Sequence, residues 1–204
     1  IALAFPFFML MQMLSGGAMG GTVSGAISRA LGRNDHDRGQ ALALCALAIG
    51  LALGLLFMLV ILLGGPAIFR QLGGSGPVLA QAIAFSTVAA FAIIPIWATN
   101  MLASVARGSG NMALPAVTLL AAGLVQVAVG GVLGLGLGPA PRLGIAGVAI
   151  GQLVAYSGSA IVLLAYSRSA KARLRLQFAP RFLAPARFAE LLRVGAVAMF
   201  SPLL

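Results

Sequence analysis

The chain reads as long apolar runs separated by short polar or glycine-rich breaks. Five runs cover about residues 2–30, 41–63, 78–105, 113–133 and 143–166, and a sixth starts within 189–204. A helix rising 1.5 Å per residue needs about twenty apolar residues to cross a hydrocarbon layer roughly 30 Å thick, and each complete run supplies them. The pattern predicts an all-α polytopic membrane protein with five complete spans. It divides the chain into a five-span bundle over 1–167, a basic linker over 168–188 and the truncated start of a second unit over 189–204.

The breaks carry helix-end signals. Gly32 follows the first run, Asn34 or Asp35 is placed to cap the second, and Asp37 suits the positive end of that helix. Gly64-Gly65-Pro66 closes the second run, and 70–76 forms a polar turn. Pro95 lies well inside the third run and deprives the Phe91 carbonyl of its donor, which predicts a kink. Residues 107–111, Arg-Gly-Ser-Gly-Asn, form the next turn, and Pro115 falls in the first turn of the fourth helix, where a missing N–H costs little. Gly134, Gly136, Gly138, Pro139 and Pro141 end that helix; Gly144, Gly147 and Gly151 open the fifth. Pro180 and Pro185 interrupt the linker, which reads as water-exposed with a short amphipathic helix over 187–192.

The first run holds two columns of small residues at steps of four: Gly17, Gly21 and Gly25, and beside them Gly16, Gly20, Ser24 and Ser28. Residues four apart share a helix face, and small faces let membrane helices approach closely. The glycine column of Gly17, Gly21 and Gly25 is expected to pack against a neighbouring helix.

Composition strengthens this picture. Of 204 residues 61% are hydrophobic and only 8% charged, against about 25% charged in ordinary globular chains. The net charge of +10 does not point to nucleic acid, because the bases lie between the apolar runs. If the turn after the first run is cytoplasmic, that side holds Arg29, Arg33, Arg38, Arg107 and the linker bases Arg168, Lys171, Arg173, Arg175, Arg181, Arg187 and Arg193. The other side holds Arg70 and Arg142 alone. The positive-inside rule then places the linker in the cytosol. The single cysteine, Cys45, allows no intrachain disulfide. Ile1 is apolar and the apolar run at Phe200–Leu204 is cut short, so the chain is expected to be a piece of a longer one.

Candidate chemistry is sparse. Asp35-His36-Asp37 suits a capping turn better than a metal or acid–base cluster, since adjacent residues do not converge on one point. His36 is the only histidine, and no GxSxG, HExxH or Walker sequence occurs, which argues against an enzyme or a resident metal. None of the five runs has an ionisable group near its middle. The polar candidates are four amides, Gln12, Asn100, Gln126 and Gln152, each costly in lipid unless it faces protein or water. Interhelical hydrogen bonding is the commoner role for such groups, and lining a central cavity is the functional one. Gln126 with Gly130 and Gln152 with Tyr156 are the better cavity candidates, because each pair lies one turn apart on a helix face. Met9, Met11, Met13 and Met19 suit ordinary helix or lipid contact more than a promiscuous binding surface.

Three stretches, in order and at fitting spacing, resemble the multidrug and toxic compound extrusion (MATE) transporters. They are SRALGRNDHDRG at the end of the first run, VARGSGNMALPAV between the third and fourth, and LGLGPAPRLGIAGVAIG into the fifth. The resemblance implies a MATE-like N-terminal helix bundle, family helices 2–6 plus the start of helix 7, in a bacterial cytoplasmic (inner) membrane. It implies secondary active export of organic, often cationic, compounds in exchange for Na⁺ or H⁺, with no other cofactor. The implied partners are the lipid bilayer, a small organic substrate, and the first helix and C-terminal lobe of the same chain. Many members carry an Asn and, four residues on, an Asp in helix five for cation coupling; these positions fall on Gln126 and Gly130, so the carboxylate is absent. Helix seven often opens with Gly-x-Pro, where this chain has Gly195-Ala196-Val197. A lipid-linked saccharide flippase of related fold and a non-transporting membrane fragment are the alternatives.

Overall fold

The computed structural model describes residues 5–139, 141–177 and 185–200. Its elements are all helical: α1 (Phe5–Gln12), a π-helical segment (Met13–Met19), α2 (Gly20–Gly32), α3 (His36–Gln71), α4 (Gly76–Gly108), α5 (Ala113–Leu135), α6 (Ile145–Arg168) and α7 (Pro185–Phe200). Four of them, α3 to α6, are long and apolar enough to cross a membrane. The first predicted span is continuous from Phe5 to Gly32, but the π segment divides it into pieces, and the Gly20 N–H bonds back to the Ser15 carbonyl five residues earlier.

α4 is the hub, packing on α2, α3 and α6, while α5 packs mainly on α6. The approaches are close because one partner is small. A Cβ added at Gly108 of α4 would lie 2.7 Å from the Ser24 carbonyl oxygen of α2, and one at Gly54 of α3 would lie 3.3 Å from the Trp97 Cβ of α4. Trp97 is fully buried and stacks on Phe57, ring centroids 5.9 Å apart. In lipid no hydrophobic force distinguishes helix from acyl chain, so this dispersion contact is what holds such helices together.

Three breaks end helices by one device, a left-handed residue that lets two N–H groups bond back to the last turn. At the first, Asn34 (φ 58°) bonds to the Leu31 carbonyl and Asp35 to that of Ala30. Gly73 (φ 87°) and Gly110 (φ 95°) serve the same purpose after α3 and α4. Asp35 then caps α3, its Oδ1 accepting from the Arg38 N–H at 3.0 Å, and Asn111 Oδ1 accepts from the Leu114 N–H at the start of α5. The capping role read for Asp35 holds, and α2 ends at Gly32 as read, with Asn34 supplying the left-handed residue of the turn.

Three sequence expectations change. α3 does not stop at Gly64-Gly65-Pro66 but continues to Gln71. Proline is tolerated inside membrane helices when neighbours make good the freed backbone groups. Here Ile61, Gly65 and Phe69 form one buried stripe that carries the helix past Pro66. The linker is also not simply water-exposed over its first part. Leu174 and Leu176 are buried, the Leu176 N–H bonds to the Ser167 carbonyl at 2.8 Å, and Gln40 Nε2 donates to the Gln177 carbonyl at 3.4 Å. Pro180 and Arg181 lie outside the described residues. The short helix expected over 187–192 is part of the longer α7, which starts ahead of the 188/189 division read from sequence.

These contacts place three breaks at one end of the bundle. Gly39 lies by Leu174, Gly110 by Arg173, and Asn111 Nδ2 donates to the Tyr166 hydroxyl at 2.9 Å. The breaks after α2, α4 and α6 therefore meet, with the basic residues around them. Arg70 and Arg142 belong to the breaks after α3 and α5.

Candidate functional site

The predicted polar residues fall into separate places. Gln126 and Gly130 of α5 border a groove of about 450 Å³ along the α5–α6 pair, completed by Val127, Gly134, Ile145 and Val148. Its lining is apolar apart from the Gln126 amide, so it suits an apolar organic surface carrying a hydrogen-bonding group. Gln152 and Tyr156 of α6 are half-buried and do not line this groove; the Tyr156 carbonyl accepts from Thr99 Oγ1 at 3.1 Å and so ties α6 to α4. A second groove of about 450 Å³ lies further along the same pair, between Val117, Thr118 and Val125 on α5 and Val154, Ser159 and Val162 on α6.

The α5–α6 groove exists because the two backbones nearly touch beneath it. A Cβ at Gly151 would lie 2.6 Å from the Gly130 N and 2.8 Å from the Gln126 carbonyl oxygen. One at Gly147 would lie 2.6 Å from the Gly134 N, and one at Gly130 would lie 3.3 Å from the Val148 Cα. Gly130-x-x-x-Gly134 meets Gly147-x-x-x-Gly151, a pairing legible as two small-residue steps of four in facing helices. Gly130 is thus a contact residue, and a side chain there would require Val148 to give by a few tenths of an ångström.

Asn100 and Gln12 belong elsewhere. Asn100 is buried on α4 and its Nδ2 donates to Ser15 Oγ in the π segment at 2.8 Å; Ser15 Oγ donates in turn to the Gln12 carbonyl at 3.3 Å. The Gln12 residue itself is exposed. Arg107 Nη2 donates to Ser104 Oγ at 2.9 Å, and Ser104 Oγ donates to the Asn100 carbonyl at 2.7 Å. The result is a polar seam, Ser15–Asn100–Ser104–Arg107, running toward the basic end. Ser104 and Arg107 did not stand out in the sequence, although their offsets of four and seven from Asn100 place all three on one face of α4. Trp97, one turn before Asn100, is buried with its Nε1–H lacking a hydrogen-bond partner among the described residues.

The glycine column expected to pack does not do so in the described bundle. Gly17 and Gly21 are exposed with nothing within 4 Å of an added Cβ, and at Gly25 the nearest atom is Nη1 of its own helix's Arg29, at 3.2 Å. The adjacent column makes the contact instead: an added Cβ would lie 3.6 Å from the Asn100 amide nitrogen at Gly16 and 2.8 Å from Ser104 Oγ at Gly20, and Ser24 faces Gly108. Both columns are small, so the α2 sequence alone does not choose between them. The choice is made on α4, where Ser104 and Gly108 leave room.

The comparisons with known proteins agree with this architecture. The MatE family model matches residues 1–132. No curated protein matches the chain. Among solved structures, an inward-facing multidrug resistance MATE family transporter of the MOP superfamily superposes with a TM-score of 0.86 at 24% identity, covering 98% of this chain and 45% of that one. An outward-facing multidrug resistance MATE family transporter gives 0.84 at 22%, covering 99% and 45%. A MOP superfamily transporter from Pyrococcus furiosus gives 0.86 at 23%, covering 100% and 44%. The chain spans less than half the length of these structures, over which it shares their fold. With four helices fit to cross a bilayer, it is a multi-pass membrane protein, and it belongs to the MatE family.

Proposed function

We propose that this chain forms the N-terminal lobe of a secondary active exporter of organic, often cationic, compounds, driven by Na⁺ or H⁺ entry. The observation that carries the reading is the family match together with a fold shared over nearly the whole chain with multidrug resistance transporters. The α5–α6 groove with Gln126 on its border supports a role for this lobe in contacting substrate, through apolar surface and one amide. Coupling in this lobe does not run through a carboxylate at position 130. Of the three acids of the chain, Asp35 caps α3, Asp37 lies in its first turn and Glu190 lies on α7, so none stands near the middle of a long apolar helix. An added Cβ at position 130 would already lie 3.3 Å from the Val148 Cα of α6. We place the basic end in the cytosol on the strength of the charge asymmetry and assign the protein to a bacterial inner membrane.

The test is transport by the full-length protein in efflux-deficient cells. Expected is lower accumulation of a fluorescent organic cation, reversed when the Na⁺ and H⁺ gradients are both collapsed. Unchanged accumulation from a protein shown to reach the membrane would refute the proposal.

A further inference from the structure

Four charged side chains converge at the basic end of the bundle. Arg29 and Arg33 stand one turn apart at the end of α2, Arg38 lies in the first turns of α3, and Glu190 reaches in from α7. With Ala26 and Ala30 they bound a recess of about 120 Å³. That is room for about four waters at ~30 Å³ each, enough for a compact oxyanion. Arg38 Nη2 donates to Glu190 Oε1 at 2.8 Å. Arg29 and Arg33 have no hydrogen bond or ion pair from their side chains among the described residues. Asp35 and Asp37 do not line the recess, and Asp35 Oδ1 is occupied with capping α3. Three guanidinium groups therefore face one carboxylate. Arginine's planar fork matches phosphate oxygens, and basic pockets between membrane helices at the cytoplasmic side suit lipid head groups. Gly25 contributes by its lack of a side chain, since the Arg29 guanidinium lies against the helix there.

We infer that this recess binds a phosphate group, supplied by the head group of an anionic phospholipid, and that Glu190 competes with it for Arg38. The Arg38–Glu190 pair ties α7 to α3, so a bound head group loosens that tie. Whether the protein exports anything does not enter into this binding, so its failure and that of the transport reading are separable.

The experiment measures association of spin-labelled phosphatidylglycerol with the full-length protein in phosphatidylcholine vesicles. The wild type is expected to prefer phosphatidylglycerol over spin-labelled phosphatidylcholine. The double variant R29Q/R33Q is expected to lose up to about thirtyfold of that preference, since two interfacial arginines at about 1 kcal/mol each amount to about 2 kcal/mol. E190Q should raise the preference, a gain that misfolding does not produce. No preference in the wild type, an unchanged one in R29Q/R33Q, or no increase in E190Q would each overturn the inference. Inorganic phosphate at equal ionic strength is expected to compete with the labelled lipid more than chloride does. Displacement no greater than chloride's would show that the recess does not recognise phosphate, and R29Q/R33Q-sensitive binding of free phosphate with no lipid preference in the wild type would assign the recess to the free ion and reject the lipid.

Discussion

Gly130 shows how one residue changes the reading of a site. On the family resemblance it falls where a coupling carboxylate is expected, and by geometry it stands where α6 presses on α5. An added Cβ meets the Val148 Cα at 3.3 Å, and the opposing Gly151 leaves no room at all. The expected consequence is that Gly151→Ala destabilises the protein by about 1–3 kcal/mol, the usual range for overpacking, because its new methyl would meet backbone that cannot rotate away. Gly158→Ala on the same helix, with nothing within 4 Å, should not destabilise the protein and should gain up to about 1 kcal/mol of helix propensity. Reversible unfolding in mixed micelles measures both. Equal effects would mean that the α5–α6 approach is looser than described.

The helices themselves are legible from the sequence because lipid demands long uninterrupted apolar runs with internally satisfied backbones. The runs over 113–133 and 143–166 match α5 and α6 within a few residues. Features set by a neighbour are not legible in the same way. The run at Pro66 reads as an ending, and only the buried Phe69 beyond it explains why α3 goes on. The two glycine columns of the first span are equivalent until α4 is placed beside them. The π segment leaves no local signature, yet it presents Ser15 to Asn100. That hydrogen bond joins two elements that otherwise meet through small residues. A double-mutant cycle of Ser15→Ala and Asn100→Ala should give a coupling of about 0.6 kcal/mol, the average for interhelical hydrogen bonds in membranes, and no more than about 1.7 kcal/mol. A coupling near zero, measured by the same unfolding assay, would show that Asn100 is held by packing alone.

At the scale of the whole molecule, charge and topology make one joint statement. The breaks after α2, α4 and α6 meet at one end, as the Asn111–Tyr166 and Gln40–Gln177 hydrogen bonds require. An even number of crossings separates each of these breaks from the next, so no orientation places one of them across the bilayer from another. The basic residues follow the same division, with Arg70 and Arg142 at the breaks after α3 and α5. Moving bases across a bilayer during insertion is costly enough to fix orientation, which predicts the sidedness of every break at once. Single cysteines at Gln71 and Pro139, both exposed, should react with a membrane-impermeant maleimide on intact cells. Cysteines at His36 and Met112, also exposed, should react only after permeabilisation, and the native Cys45 is fully buried within α3 and gives little background. The reverse pattern would keep the fold and invert the orientation. If His36 and Met112 labelled from opposite sides, the bundle itself would be wrong, because the helices between them make two crossings in the structure and would have to make an odd number in the membrane.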